Sequence, residues 1–129
     1  MREQTEKGED SILTRKEIGK RGEVIAAGFL ERKGLRIVER NYHCRWGELD
    51  LVAAESDNRI HFVEVKTRTV TLYGAPAEAV TYMKQQKIKK TALTWLQSQE
   101  QYFSDLSFDV IEVSVIENTA RIRWLQHCF

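Results

Sequence analysis

Three acids and a lysine stand inside two short runs of strand-forming residues. Glu48 and Asp50 lie in Trp46-Gly47-Glu48-Leu49-Asp50-Leu51-Val52, and Glu64 and Lys66 in Ile60-His61-Phe62-Val63-Glu64-Val65-Lys66. An ionised carboxylate among apolar neighbours is costly unless it is paired or binds a metal. Strand side chains alternate faces, so Glu48 and Asp50 share one side of the first run, and Glu64 and Lys66 one side of the second. If the runs pair through the polar stretch Glu55-Ser56-Asp57-Asn58, these groups converge. Asp50 and Glu64 would then bind a hard divalent ion through oxygen, with Mg²⁺ completing its octahedron from water and a substrate phosphate. Lys66 would stand beside that phosphate, orienting or helping to deprotonate the attacking water and offsetting charge on the phosphoryl oxygens. This is the part-list of a phosphodiesterase. The competing reading is a Glu64 to Lys66 or cross-strand ion pair on a solvated sheet face, worth at most about 1 kcal/mol.

The elements that must position these residues follow from periodicity. Thr14, followed three residues later by Glu17, has the capping-box pattern, and Ile18, Gly22, Ile25, Ala26, Phe29 and Leu30 then recur at helical spacing until Gly34. Glu23 falls at the edge of that stripe, where it is either solvated or reaches over the rim of the core toward the sheet. Residues 35–42, 46–54 and 59–68 read as three strands of an antiparallel meander. After Gly74-Ala75-Pro76 a second helix enters through Thr81, with Ile88, Ala92, Trp95 and Leu96 as its buried stripe. Residues 108–115 and 120–125 supply two more strands. The expected order is αβββαββ: an α/β domain over residues 14–129, with a mixed central sheet flanked by helices. Residues 1–13, charged and aperiodic, read as a flexible lead-in.

A chain of 129 residues, 42% hydrophobic and 30% charged, fits one domain burying roughly two thirds of its unfolded surface. The net charge of +1 gives no global basic field, but residues 15–45 carry nine Lys or Arg against four Glu. Residues 84–90 hold four Lys and no acid, while residues 97–119 hold five acids and no base. Lys84, Lys87, Lys89 and Lys90, with Arg15, Lys16, Lys20, Arg21 and Arg68, are therefore candidates to grip phosphates, although a solvated helix face explains the helical ones as well. Tyr42, Trp46 and Tyr73 could stack on an unpaired base, with rim or core packing as the plainer fate. Cys44 and Cys128 form neither a metal-spaced cluster nor a disulfide framework, which fits a reducing compartment. His43, His61 and His127 are too scattered for a zinc pattern, and His61 alternates to the face opposite Glu64. Asp109, early in its strand, reads as a structural ion-pair partner. With no run approaching the ~20 apolar residues of a membrane span, the expectation is a soluble cytoplasmic protein.

Several segments together resemble the YraN-like family of small bacterial proteins. They are Gly22-Glu23 with Ala26-Ala27 and Phe29-Leu30, Lys33-Gly34, Arg40-Asn41-Tyr42, Gly47-Glu48-Leu49-Asp50-Leu51, Phe62-Val63-Glu64-Val65-Lys66-Thr67-Arg68 and Phe108-Asp109-Val110. The likeness runs from about residue 19 to 129. It implies a restriction-endonuclease-like fold of the PD-(D/E)xK type, similar in layout to archaeal Holliday-junction resolvases. By position Asp50 and Glu64 match the metal-binding acids of that nuclease motif, Lys66 its lysine, and Glu23 the helix-borne acid of the resolvase-like branch. Glu48 joins the metal set only through its shared face with Asp50. Leu49 departs from the motif by standing where its name has Pro, a loose position. The resemblance therefore implies a Mg²⁺- or Mn²⁺-dependent nuclease acting on DNA, branched or structured, through metal-activated water. The alternative is a non-catalytic nucleic-acid-binding module of a repair or recombination assembly. A quaternary structure like that of the resolvases would make the protein a homodimer.

Overall fold

A helix with one apolar stripe and strands that are apolar on both faces can bury everything only in three layers. The computed structural model describes residues 3–9, 15–56, 58–69, 80–116 and 119–129. In chain order the elements are β1 (Glu3–Glu9), α1 (Arg15–Arg32), β2 (Arg36–Cys44), β3 (Gly47–Ala54), β4 (Arg59–Thr69), α2 (Tyr82–Gln97), β5 (Asp105–Ile116) and β6 (Thr119–Leu125). The strands form one mixed sheet in the order β1-β6-β5-β4-β3-β2. Strands β2, β3 and β4 make the expected antiparallel meander. Strands β4 and β5 run parallel, because the helical crossover through α2 returns the chain to its starting end.

Each helix covers one face. Ala26, Ala27, Phe29 and Leu30 of α1 pack with Leu51, Ala53, Val63, Ile111 and Trp124. Ile88, Ala92 and Trp95 of α2 pack on the other side with Leu49, Val52, Ile60 and Phe62. The helix ends follow local chemistry. Thr81 caps α2, its hydroxyl oxygen accepting from the Lys84 amide at 3.2 Å. Beyond α1, Gly34 takes φ +92°, a left-handed conformation that glycine reaches without strain.

The element order differs from expectation in one place: a strand precedes the first helix, giving βαβββαββ. Residues 3–9, read as part of a flexible tail, pair antiparallel with β6 along its whole length, Glu3 opposite Leu125 and Glu9 opposite Thr119. Their sequence, Glu-Gln-Thr-Glu-Lys-Gly-Glu, has no apolar alternation to announce a strand. The distant edge of β6 supplies the hydrogen-bonding partner that local patterning does not reveal. Thr14, Tyr73 and the Gly74-Ala75-Pro76 run lie outside the described residues. Among the described residues no helix is long and apolar enough to cross a membrane.

Candidate active site

The site lies where two neighbouring strands part. The β3–β4 ladder runs from Ala54 opposite Ile60 to Leu51 opposite Val63 and ends there. Beyond that pair, β3 continues beside β2 and β4 beside β5. The gap is a cleft of about 580 Å³ lined by Glu23, Glu48, Asp50 and Glu64, with Lys20, Asn41, Val65 and Thr67. All four expected metal-site acids therefore reach one cavity. Asp50 Oδ2 accepts the Val65 amide at 2.8 Å, so a carboxylate takes a backbone donor that the ended ladder leaves on the β3 side.

Asp50 sits opposite Asn41, between the pairs Arg40 with Leu51 and Tyr42 with Leu49. Asn41 has φ +50°, unusual for a strand residue but tolerated by Asn. Strand β3 also changes phase here: Leu51 packs on the α1 side of the sheet and Leu49 on the α2 side. Simple alternation, which put Glu48 and Asp50 on one face, is broken at this point. Glu48 still lines the cleft, but its carboxylate is exposed and lies 3.3 Å from His43 Nδ1.

Burial, then the negative charge of Glu64, push the Asp50 carboxyl up from 3.8 to about 7. Glu23 adds to the rise, while the Val65 amide favours the ionised form. Glu64 is held differently. Its side chain is 14% exposed, and its Oε1 lies 3.7 Å from both Lys66 Nζ and Lys84 Nζ. The Glu64 to Lys66 pair foreseen as a possibility is thus present, yet it is not on a solvated face.

Glu23 reaches the cleft because α1 lies almost on the sheet at the preceding residue. A Cβ at Gly22 would sit 1.9 Å from Thr67 Oγ1 and 2.9 Å from Thr67 Cβ, so the approach requires glycine. The basic residues expected to hold nucleic acid are dispersed. Lys84, itself half exposed, reaches Glu64, Arg68 pairs with Glu112 on β5 at 3.4 Å, and Lys87 and Arg21 are exposed on their helices. The pairing of Lys84 with Glu64, the conformation of Asn41 and the role of Gly22 were not read from the sequence. The available signals were an Asn within a strand and a glycine inside a helix stripe.

A second ionic cluster occupies the other end of β4. His61, fully buried, has Nδ1 2.6 Å from Asp109 Oδ2 and Nε2 3.0 Å from Glu55 Oε2. Asp109 also accepts from Trp124 Nε1 at 2.9 Å, from the His127 amide at 3.2 Å and from the Ser107 hydroxyl. Every acceptor site on this carboxylate is used inside the fold, which suits a structural ion pair.

Residues 22–113 match the Uncharacterised protein family UPF0102, a span that contains Glu23, Glu48, Asp50, Glu64, Lys66 and Lys84. The chain belongs to this family. A UPF0102 protein of Syntrophomonas wolfei is 46% identical over 114 residues, covering 88% of this chain and 98% of the relative. One from Geobacter metallireducens is 44% identical over 117 residues, covering 91% and 95%. One from Pelobacter propionicus is 51% identical over 96 residues, covering 74% and 69%. In this UPF0102 member the matched span carries the four acids of the cleft, all of α2 and α1 from Gly22 onward, while β1 and β6 lie outside it.

Proposed function

We propose that this UPF0102 protein has a restriction-endonuclease-like fold of the PD-(D/E)xK type and is a Mg²⁺- or Mn²⁺-dependent nuclease that hydrolyses phosphodiester bonds of DNA. The observation that carries this reading is the meeting of Asp50 and Glu64 at the open end of the β3–β4 ladder, beside two lysine ammonium groups. Beyond the one amide that Asp50 accepts, acids at that point are a cost to the fold, and Asp50 resists ionisation there.

The donor set fits a hard divalent ion. It is all oxygen, and a proton held to about pH 7 by burial and by the charge of Glu64 is readily exchanged for a cation. Among the described residues no three His, Cys, Asp or Glu side chains are grouped to cage an ion by themselves. Mg²⁺ suits this arrangement, since it keeps several waters and binds through one or two carboxylates plus substrate phosphate. Asp50 and Glu64 would hold it, with Glu23 and Glu48 at the margin. The chemistry it supplies when bound is water activation and neutralisation of phosphoryl charge. Lys66 and Lys84, which otherwise lie on Glu64, turn toward the phosphate, and Lys66 orients the attacking water. The Val65 amide holds the Asp50 carboxylate in place.

The test incubates purified protein with duplex, single-stranded, flapped and four-way-junction DNA and with RNA, in Mg²⁺ or Mn²⁺, beside Lys66→Ala and Asp50→Ala. Cleavage by the wild type should fall about 10²- to 10³-fold in either variant, the usual cost of removing a group that stabilises transition-state charge. Binding without cleavage, equal in all three proteins, would overturn the nuclease reading in favour of a non-catalytic nucleic-acid-binding module.

A further inference from the structure

The turn joining β2 to β3 presents an aromatic ring among cations. Trp46 is 40% exposed, whereas Trp95 and Trp124 are each 2% exposed. The Arg45 guanidinium carbon lies 4.4 Å from the Trp46 ring centroid, and Lys90 Nζ, from α2, lies 4.9 Å from it. The backbone fixes this position. The Trp46 amide donates to Cys44 Sγ at 3.4 Å. Gly47, at φ +149°, lies so close to α2 that a Cβ there would meet Thr91 Oγ1 at 3.4 Å. Four residue steps separate Trp46 from Asp50, so their backbones lie roughly 13 Å apart or less, at about 3.3 Å per strand residue.

We propose that Trp46, Arg45 and Lys90 form a stacking subsite for an unpaired base of single-stranded DNA, from which the strand's backbone runs to the Asp50 and Glu64 cleft. This deepens the nuclease reading and rests on it for the link to the cleft. Charge and shape together select the occupant. A splayed base offers a π face to Trp46, and its flanking phosphates take the two cations, which leave the ring easily because cation–π attraction is weak at exposed sites. Lys87, exposed on α2 three residues before Lys90, extends the cationic strip. An acidic peptide would use the cations and not the ring. A closed duplex keeps its base faces stacked on one another and has none to offer.

The experiment measures anisotropy of a labelled short oligothymidylate and of a hairpin duplex, in EDTA so that no cleavage occurs, with wild type, Trp46→Ala, Trp46→Phe and Arg45→Ala. Trp46→Ala should bind the single strand about 5- to 150-fold more weakly, the range found for loss of one base–aromatic stack. Trp46→Phe should keep most of the affinity, Arg45→Ala should flatten the salt dependence, and duplex binding should change little. In the wild type, saturation with unlabelled oligothymidylate should quench tryptophan emission from Trp46, and this quenching should be missing in Trp46→Phe. Unchanged single-strand affinity in Trp46→Ala, equal loss for both DNAs, or no quenching at saturation would overturn the subsite. Cleavage assays separate the two ideas. If Asp50→Ala abolishes cleavage while Trp46 substitutions change nothing, only the subsite fails; Trp46-dependent binding with no cleavage by any protein defeats only the nuclease reading.

Discussion

Asp50 is the residue whose surroundings work hardest against its charge. It loses water, faces Glu64 and Glu23, and recovers only the Val65 amide, so it keeps its proton until about pH 7. The unfolded chain releases that proton near 3.8, so between these values the folded state binds more protons and loses stability as pH rises. Without divalent ions, Asp50→Asn should therefore melt increasingly above the wild type as pH goes from about 4 to about 7, with the gap constant beyond. Mn²⁺ added at about pH 8 should raise the wild-type melting temperature and leave Asp50→Asn unmoved, as expected of a ligand that binds only the folded state. Scanning calorimetry decides the matter, and parallel pH curves for the two proteins would contradict it. The candidacy of Asp50 and Glu64 was legible from acids among apolar strand residues. The pairing of Lys84 with Glu64 was not, since a lysine on a polar helix face reads the same whether or not its ammonium reaches a carboxylate.

At the scale of elements, what matters is how closely α1 approaches β4. Gly22 lies on the buried side of the helix, and its partner, Thr67, is blocked along its whole side chain and not only at a rotatable tip. Gly22→Ala should cost about 1–3 kcal/mol through overpacking, despite the better helix propensity of Ala. Urea denaturation measures this, and a raised or unchanged midpoint would show that helix and strand do not meet so closely. The same displacement carries Glu23 away from the cleft, so Mn²⁺ affinity should weaken in Gly22→Ala. Periodicity located α1, β2, β3, β4, α2, β5 and β6 because each carries its own apolar pattern. Strand β1 escaped because its stability comes from the β6 edge.

Across the whole molecule the His61 cluster ties together β4, β5, the segment after β6 and the start of the turn between β3 and β4. Burial disfavours the imidazolium, but the hydrogen bonds and charges of Asp109 and Glu55 outweigh it and hold the His61 pKa above 6.5. Arg59 closes the outer side, 3.2 Å from Glu55 and 3.0 Å from Asp105. Replacing His61 by Phe leaves Asp109 buried without its counter-charge and should cost about 3–5 kcal/mol. A raised folded pKa means that the contribution is complete below 6.5 and is lost as pH rises through the folded value. The destabilisation should accordingly be largest on the acidic side and shrink above neutrality. Denaturant titrations at about pH 6 and about pH 9 would refute this if the cost were equal or larger at the higher pH.

The order of the seven elements from α1 onward, the antiparallel meander and the candidate acids were all determined by the sequence, because hydrophobic periodicity and costly buried charge are local properties. Tertiary structure decided the rest: where the β3–β4 ladder stops, the phase change around Asp50, the pairing of Lys84 with Glu64, the addition of β1 and the cation-flanked position of Trp46. Each depends on which distant backbone comes alongside. That is set by the twist and packing of the complete sheet, which no single segment of the chain encodes.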